Sequence, residues 1–243
     1  MVDLPVGVYF RKFLNEVTEG AMTDENAEID TKFISDAMQD YNLQQIQLRV
    51  RKIWLHEFYE FCGTQLLETS RFVMEDLLKF EADCQTIQII SNSLMVGGNA
   101  NSVNRDLERR KYISKIGYLY PDRDERLRNV SDLRSLVAAV EATPYEKILS
   151  SVAMNDDRNE AESSDLTIDD VMLKEASRRY SCAFEGGFHV ACFFAYLKLK
   201  EQEIKNVTWL AELVQMQVSR NLPGWSKFIV PFKYHYNDNL NNA

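Results

Sequence analysis

Apolar residues recur at spacings of three and four along most of this chain. Leu43, Ile46, Val50, Ile53, Trp54, Phe58, Phe61 and Cys62 share one side of a helix, so the spacing predicts a long amphipathic helix over 43–66. Val73, Leu77, Phe80, Cys84, Ile87 and Ile90 keep the same phase and predict a second over 68–94, ended by Gly97-Gly98. Phe10, Phe13 and Leu14 after Pro5 mark a first helix. A charged helix is expected over 105–116, followed by the loop GYLYP at 117–121. Ser131 is the expected N-cap of a short helix reaching Ala142, and Thr143-Pro144 the start of another.

The last third predicts helices over 171–184, 188–200 and 204–218, with Gly186-Gly187 as a break. Their apolar stripe runs Val190, Phe193, Phe194, Leu197, Ile204, Val207, Ala211, Val214 and Val218. Lys200 and Glu201 stand where it should continue. A charge on a buried face costs several kcal/mol unless it is paired or wet. The helix therefore bends there, or that position faces a polar cavity or a partner. Glu201 and Lys205 are four apart in the favourable order for a local pair. Trp209 is expected in the core.

Two stretches carry too little apolar surface to pack. Residues 22–30 are acidic, and 155–170 read NDDRNEAESSDLTIDD, an expected exposed acidic loop. Apolar residues make up 45% of the 243, enough for a real core, while only 9 Gly and 5 Pro favour helices over turn-rich sheets. No apolar run is long enough to span a bilayer, and no secretory signal is visible at the N-terminus. The net charge of −9 argues against non-specific nucleic-acid binding and against docking on anionic lipid through the general field, and leaves room for a local basic patch.

Chemistry-bearing patterns are few. Cys62, Cys84, Cys182 and Cys192 are scattered, without CxxC, and read as reduced, buried thiols. His189 and Cys192, three apart, are at most half a metal site, with no second pair near in sequence. The sequence has no Ser/His/Asp set, phosphate-cradling glycine loop or metal cluster, so no catalytic residue, cofactor or metal is expected.

A similarity at an offset of 120 residues stands out. Glu81-Ala-Asp83 is followed by Ile87, Ile89 and Ile90; Glu201-Gln-Glu203 is followed at equal offsets by Val207, Trp209 and Leu210. This is the pattern of a duplicated helical unit. Carboxylates at i and i+2 on a helix point in different directions, which suits contacts to different neighbours better than acid–base or metal work.

EFYEFC at 57–62, KFEAD at 79–83, GYLYP at 117–121, FHVACFFAYLKLKEQE at 188–203, LKLKEQEIKNVTWLAE at 197–212 and IVPF at 229–232 together resemble the subunit d family of V-type proton-pumping ATPases, which has archaeal relatives. The resemblance covers residues 5–232. Family members are longer, and what is absent here matches their N-terminal part. The chain departs from the pattern at Cys84-Gln85, where arginines are usual, at Ile204, where a cysteine is common, and in its acidic insert and polar tail.

The resemblance implies an all-α, funnel-like protein built of repeated helical units, two of three being present. The expected divisions are 1–150, the acidic loop 151–170, a second unit 171–232 and a polar tail 233–243. It implies a non-catalytic coupling piece with no cofactor, linking proteolipid ring subunits to central-stalk subunits. Such a piece meets the membrane only through the complex, on the cytoplasmic face of vacuolar, lysosomal or other acidic compartments. A helical adaptor that has lost the N-terminal unit and binds another partner is the alternative. The expected partner-interface residues are Glu81, Asp83, Lys198, Lys200, Glu201, Glu203 and Lys205.

Overall fold

A computed structural model describes residues 5–17, 43–95, 102–156, 167–187 and 189–216. They form helices without strands: α1 (Pro5–Val17), α2 (Leu43–Gln65), α3 (Glu68–Met95), α4 (Ser102–Tyr112), α5 (Asp124–Arg128), α6 (Leu133–Ala139), α7 (Glu146–Asp156), α8 (Ile168–Cys182) and α9 (Ala191–Gln215). The expectations for 22–30, Gly97-Gly98, 157–166 and 217–243 fall outside the described residues.

α3 is the axis of the packing. Its periodicity predicts one buried face, yet between Phe80 and Ser91 almost every residue is buried. The helix serves two cores at once. On one side Phe80, Ile87 and Ile90 meet Ile113, Leu119, Leu127, Leu136, Tyr145, Leu149 and Met172. On the other, Leu77, Leu78 and Ala82 meet Leu55 and Cys62 of α2, Tyr180 of α8 and Ala191 and Ala195 of α9. A fully buried Leu or Ile contributes about 1.5–3 kcal/mol. A third, smaller core joins Phe13 and Leu14 of α1 to Ile46.

Local capping explains several boundaries. The sequence suggests Ser131 as the cap of α6, but the N-cap is Asp132, whose side chain accepts from the Ser135 N–H while Ser135 reaches back to the Asp132 N–H. Thr167 and Asp170 build the same reciprocal box at α8. The expected acidic loop therefore loses both ends to helix, since α7 runs to Asp156 and Thr167–Asp170 starts α8. α7 begins at Glu146, two residues after Pro144: the Tyr145 N–H donates to Thr143 Oγ1, and the Glu146 carboxylate accepts from the Ala142 N–H. α4 stops at Tyr112 rather than at residue 116, where the turn into GYLYP starts.

The largest departure is α9. The two expected segments, 188–200 and 204–218, are one continuous helix through Lys200 and Glu201. Its inward face is not the apolar stripe. Ala191, Ala195, Gln202 and Asn206 are buried, whereas Phe193, Leu197, Ile204 and Val207 are each at least 60% exposed. Trp209, expected in the core, is about half exposed. Cys182 is exposed rather than buried, and all four cysteines are free.

Candidate functional site

A buried stretch of α3 must satisfy every polar group it carries, because an unpaired one costs about 1–3 kcal/mol and more if charged. Glu81 and Asp83, both almost completely buried, do so in opposite ways. Two residues apart on the helix, they point to different neighbours.

Glu81 faces α2, α8 and α9. One carboxylate oxygen accepts from Arg51 and, at 3.0 Å, from Lys198; the other accepts from the Tyr180 hydroxyl at 2.6 Å. Burial pushes this carboxyl up, but Lys198, Arg51 and the Tyr180 hydroxyl together hold it down at about 2. Lys198 is itself mostly buried, and also reaches the exposed Glu201 at 3.2 Å. The charge that the stripe could not accommodate is thus paired across the core with a residue 117 positions away.

Asp83 faces the GYLYP loop. Oδ2 accepts from the Tyr118 N–H and the Tyr145 hydroxyl, both at 2.8 Å, and Oδ1 from the Leu119 N–H at 3.2 Å. Burial dominates here and pushes the carboxyl up to about 6; the Tyr145 hydroxyl, the two backbone donors and the Arg179 charge pull the other way without winning. Gly117 (φ +123°) is left-handed and lies against Asp83: a Cβ there would fall 2.2 Å from Oδ1. The loop and the acid are built around each other. The Tyr120–Pro121 peptide in the same loop is cis. Arg179 caps this side, 4.4 Å over the Phe80 ring and bonded to Glu175.

The remaining expected interface residues sit on the outside of α9. Lys200 and Glu203 pair with each other and are half exposed. Glu201 and Lys205 are exposed, and Glu201 turns to Lys198 rather than to Lys205. The structure therefore divides the seven: Glu81, Asp83 and Lys198 are interior, and Lys200, Glu201, Glu203 and Lys205 are available to solvent. The two acid pairs of the 120-residue offset occupy unlike environments, one buried and the other open. Arg51, Tyr145 and Tyr180 escaped sequence reasoning. Each looks like an ordinary helix or loop residue until α3 is seen to need its partners.

A small cavity of about 100 Å³ opens beside Glu81, lined also by Arg51, Gln85, Tyr180, Lys198 and Gln202. Gln85, 2% exposed, donates to the Leu48 carbonyl at 3.3 Å, while its Oε1 finds no donor in the protein. His189 and Cys192 do approach, with Sγ 3.8 Å from Nδ1, but no group of three His, Cys, Asp or Glu suited to a metal occurs among the described residues. None of the described helices is long and apolar enough to cross a membrane.

The chain is similar in sequence to known proteins. Residues 7–223 match the family described as ATP synthase (C/AC39) subunit. The chain is 32% identical over 222 residues to V-type proton ATPase subunit d1 of Arabidopsis thaliana, covering 90% of this chain and 54% of that protein. It is 33% identical over 215 residues to a probable V-type proton ATPase subunit d of Oryza sativa subsp. japonica, covering 88% and 52%. With the V-type proton ATPase subunit d of Saccharomyces cerevisiae the identity is 28% over 214 residues, covering 88% and 52%. The chain spans about half the length of the curated relatives it matches. By this match over residues 7–223, the chain belongs to the ATP synthase (C/AC39) subunit family.

Proposed function

We propose that this chain is a non-catalytic subunit of a V-type proton-pumping ATPase that couples the central stalk to the membrane proteolipid ring. The observation that carries the reading is the outward face of α9. Phe193, Leu197, Ile204, Val207 and Val214 form an exposed apolar row beside the charges of Lys200, Glu201, Glu203 and Lys205. A helix that buries small and polar residues and turns a row of large apolar ones outward is suited to a partner protein. The similarity to V-type proton ATPase d subunits supplies the kind of complex.

In this reading the buried acids of α3 hold α9 and the GYLYP loop in place, and α9 presents the contact. Glu81 fixes the helix through Lys198, so the docking face is rigid. Attachment to the membrane runs through the ring, on the cytoplasmic side of acidic compartments. The chain works without a cofactor, and purified protein assayed alone is expected to show no ATP hydrolysis.

Leu197→Glu with Ile204→Glu tests this directly. Both side chains are exposed, so the melting temperature should stay within a few degrees of the parent while co-purification with ring and stalk subunits is lost. Glu201→Gln with Lys205→Gln should weaken the same association more mildly, since an interfacial charge contributes about 1.5–3 kcal/mol. Unchanged co-purification in the apolar double variant would sink the proposal.

A further inference from the structure

The groove between α2, α4 and α5 is basic in an acidic protein. It encloses about 370 Å³ and is lined by Lys52, Arg110, Ser114, Lys115, Asp124 and Arg128. That volume falls in the range of about 300–1,000 Å³ typical of small-molecule sites, which the cavity beside Glu81 does not reach. We propose that this groove binds a phosphate-bearing anion, free or carried on a lipid headgroup, between Lys52, Lys115 and Arg110.

The charge arithmetic of the site favours an anion. Four cations line it, and the acids beside its two arginines are already engaged. Asp124 pairs with Arg128 at 3.3 Å, and Asp106 pairs with Arg110 at 3.1 Å and with Arg128 at 3.0 Å. Lys52 and Lys115 have no carboxylate in salt-bridge range among the described residues. Lys52 donates instead to the last carbonyls of α4, Lys111 O at 3.0 Å and Arg110 O at 3.4 Å. Those contacts fix its position but bring only partial negative charge. Burial makes its ammonium easier to deprotonate; Glu16, the strongest of the charges near it, opposes this, Lys115 and Arg49 add to it, and Asp124 opposes it least. The ammonium of Lys115 has no hydrogen-bond or ion-pair partner among the described residues. A phosphate oxygen supplies what both lack.

His56 reports on the site without lining it. Its Nε2 accepts from the Lys115 N–H at 3.1 Å and lies 3.1 Å from Ser114 Oγ, so the neutral ring carries its proton on Nδ1. Burial, then Lys52, then Lys115 make the ring harder to protonate, while Glu60 opposes them. An anion seated between the two lysines cancels their effect and makes protonation easier.

The experiment is a titration of the whole chain with pyrophosphate, followed by calorimetry and by the His56 ring resonances across pH. Saturable binding is expected, with the His56 pKa moving upward as the site fills. Lys115→Gln, at an exposed position, should keep the fold and weaken binding by about tenfold or more. Lys147→Gln, an exposed cation of α7 that lines neither cavity, is the reference for general charge and should weaken it by less than about twofold. Pelleting with phosphatidylcholine vesicles that contain a phosphatidylinositol phosphate, lost in Lys115→Gln, would assign a lipid headgroup. Saturable pyrophosphate binding without such pelleting would assign a free phosphate; both outcomes support the site. No saturation at millimolar pyrophosphate, binding that leaves His56 unmoved, or equal effects of Lys115→Gln and Lys147→Gln would each overturn it.

Discussion

Glu81 and Asp83 share a helix, a depth of burial and a charge, and differ in what meets them. Glu81 is answered by two cations and a phenol; Asp83 is answered by neutral donors, with Arg179 only nearby. Charge compensation more than cancels desolvation at Glu81. At Asp83 three hydrogen bonds do not. Burial alone therefore does not say whether a carboxylate favours its charged form in the fold; the partners brought by distant segments decide. The two sites also do different work. Glu81 ties α9 to the core through Lys198, and Asp83 ties down the GYLYP loop.

The sharpest test of that contrast is substitution by the neutral isostere. Glu81→Gln removes the buried anion between Arg51 and Lys198, leaving the mostly buried Lys198 only the exposed Glu201, and should cost about 3 kcal/mol in denaturant unfolding at neutral pH. Asp83→Asn removes a charge that is unfavourable at that pH but aims an amide N–H₂ at one of the donors. These effects partly cancel, and a net loss of about 1–2 kcal/mol is expected. Equal losses in the two variants would erase the distinction.

The pH dependence separates them by sign. The pKa of Asp83 is raised in the fold, from 3.8 to about 6, so its charged form costs stability. Stability is greatest below the unfolded pKa and falls as pH climbs from about 4 to 6, by up to about 3 kcal/mol. The pKa of Glu81 is lowered, from 4.5 to about 2, so its contribution is full above 4.5 and is lost as pH falls toward 2, again by about 3 kcal/mol. Subtracting the Asp83→Asn profile from the parent should show a fall from pH 4 to 6. Subtracting the Glu81→Gln profile should show a rise from pH 2 to 4.5. A shared sign would mean that one environment is misassigned.

Gly117→Ala tests the loop side alone. The new Cβ meets Asp83 Oδ1 at a backbone angle that L side chains rarely adopt, so a loss of about 1–3 kcal/mol is expected. The variant should also change the pH profile of the Asp83 window and leave the Glu81 window alone. The smallest effect belongs to the exposed pair on α9: Lys200→Gln with Glu203→Gln should change stability by less than about 1 kcal/mol. A larger loss would show that the outer charges of α9 hold the fold as Lys198 does.

Most helices were legible in the sequence because each is a local matter of apolar spacing and capping. The helices over 43–65 and 68–95 start and stop within a residue of the predicted limits. The divergence of Glu81 from Asp83 was legible too, since i and i+2 cannot share a helix face. The N-cap of α6 was missed by one residue, because Ser131 and Asp132 are both good caps and only the reciprocal bond with Ser135 separates them.

Which face of α9 turns inward could not be read from its periodicity. The apolar stripe pointed to the outer side, because hydrophobic spacing records where greasy residues lie and not what they meet. The inner side carries Lys198, Gln202 and Asn206. Beyond the packing of Ala191 and Ala195, these polar groups are tolerated there because Glu81 offers Lys198 a counter-charge and because Gln202 and Asn206 bond to each other at 3.1 Å. The sequence by itself determined the all-helical character, most boundaries and the split orientation of the α3 acids, since those follow from the local chain. Only the tertiary structure decided which charges are buried, the opposite titration of Glu81 and Asp83 and the outward apolar face of α9, since each depends on partners distant along the chain.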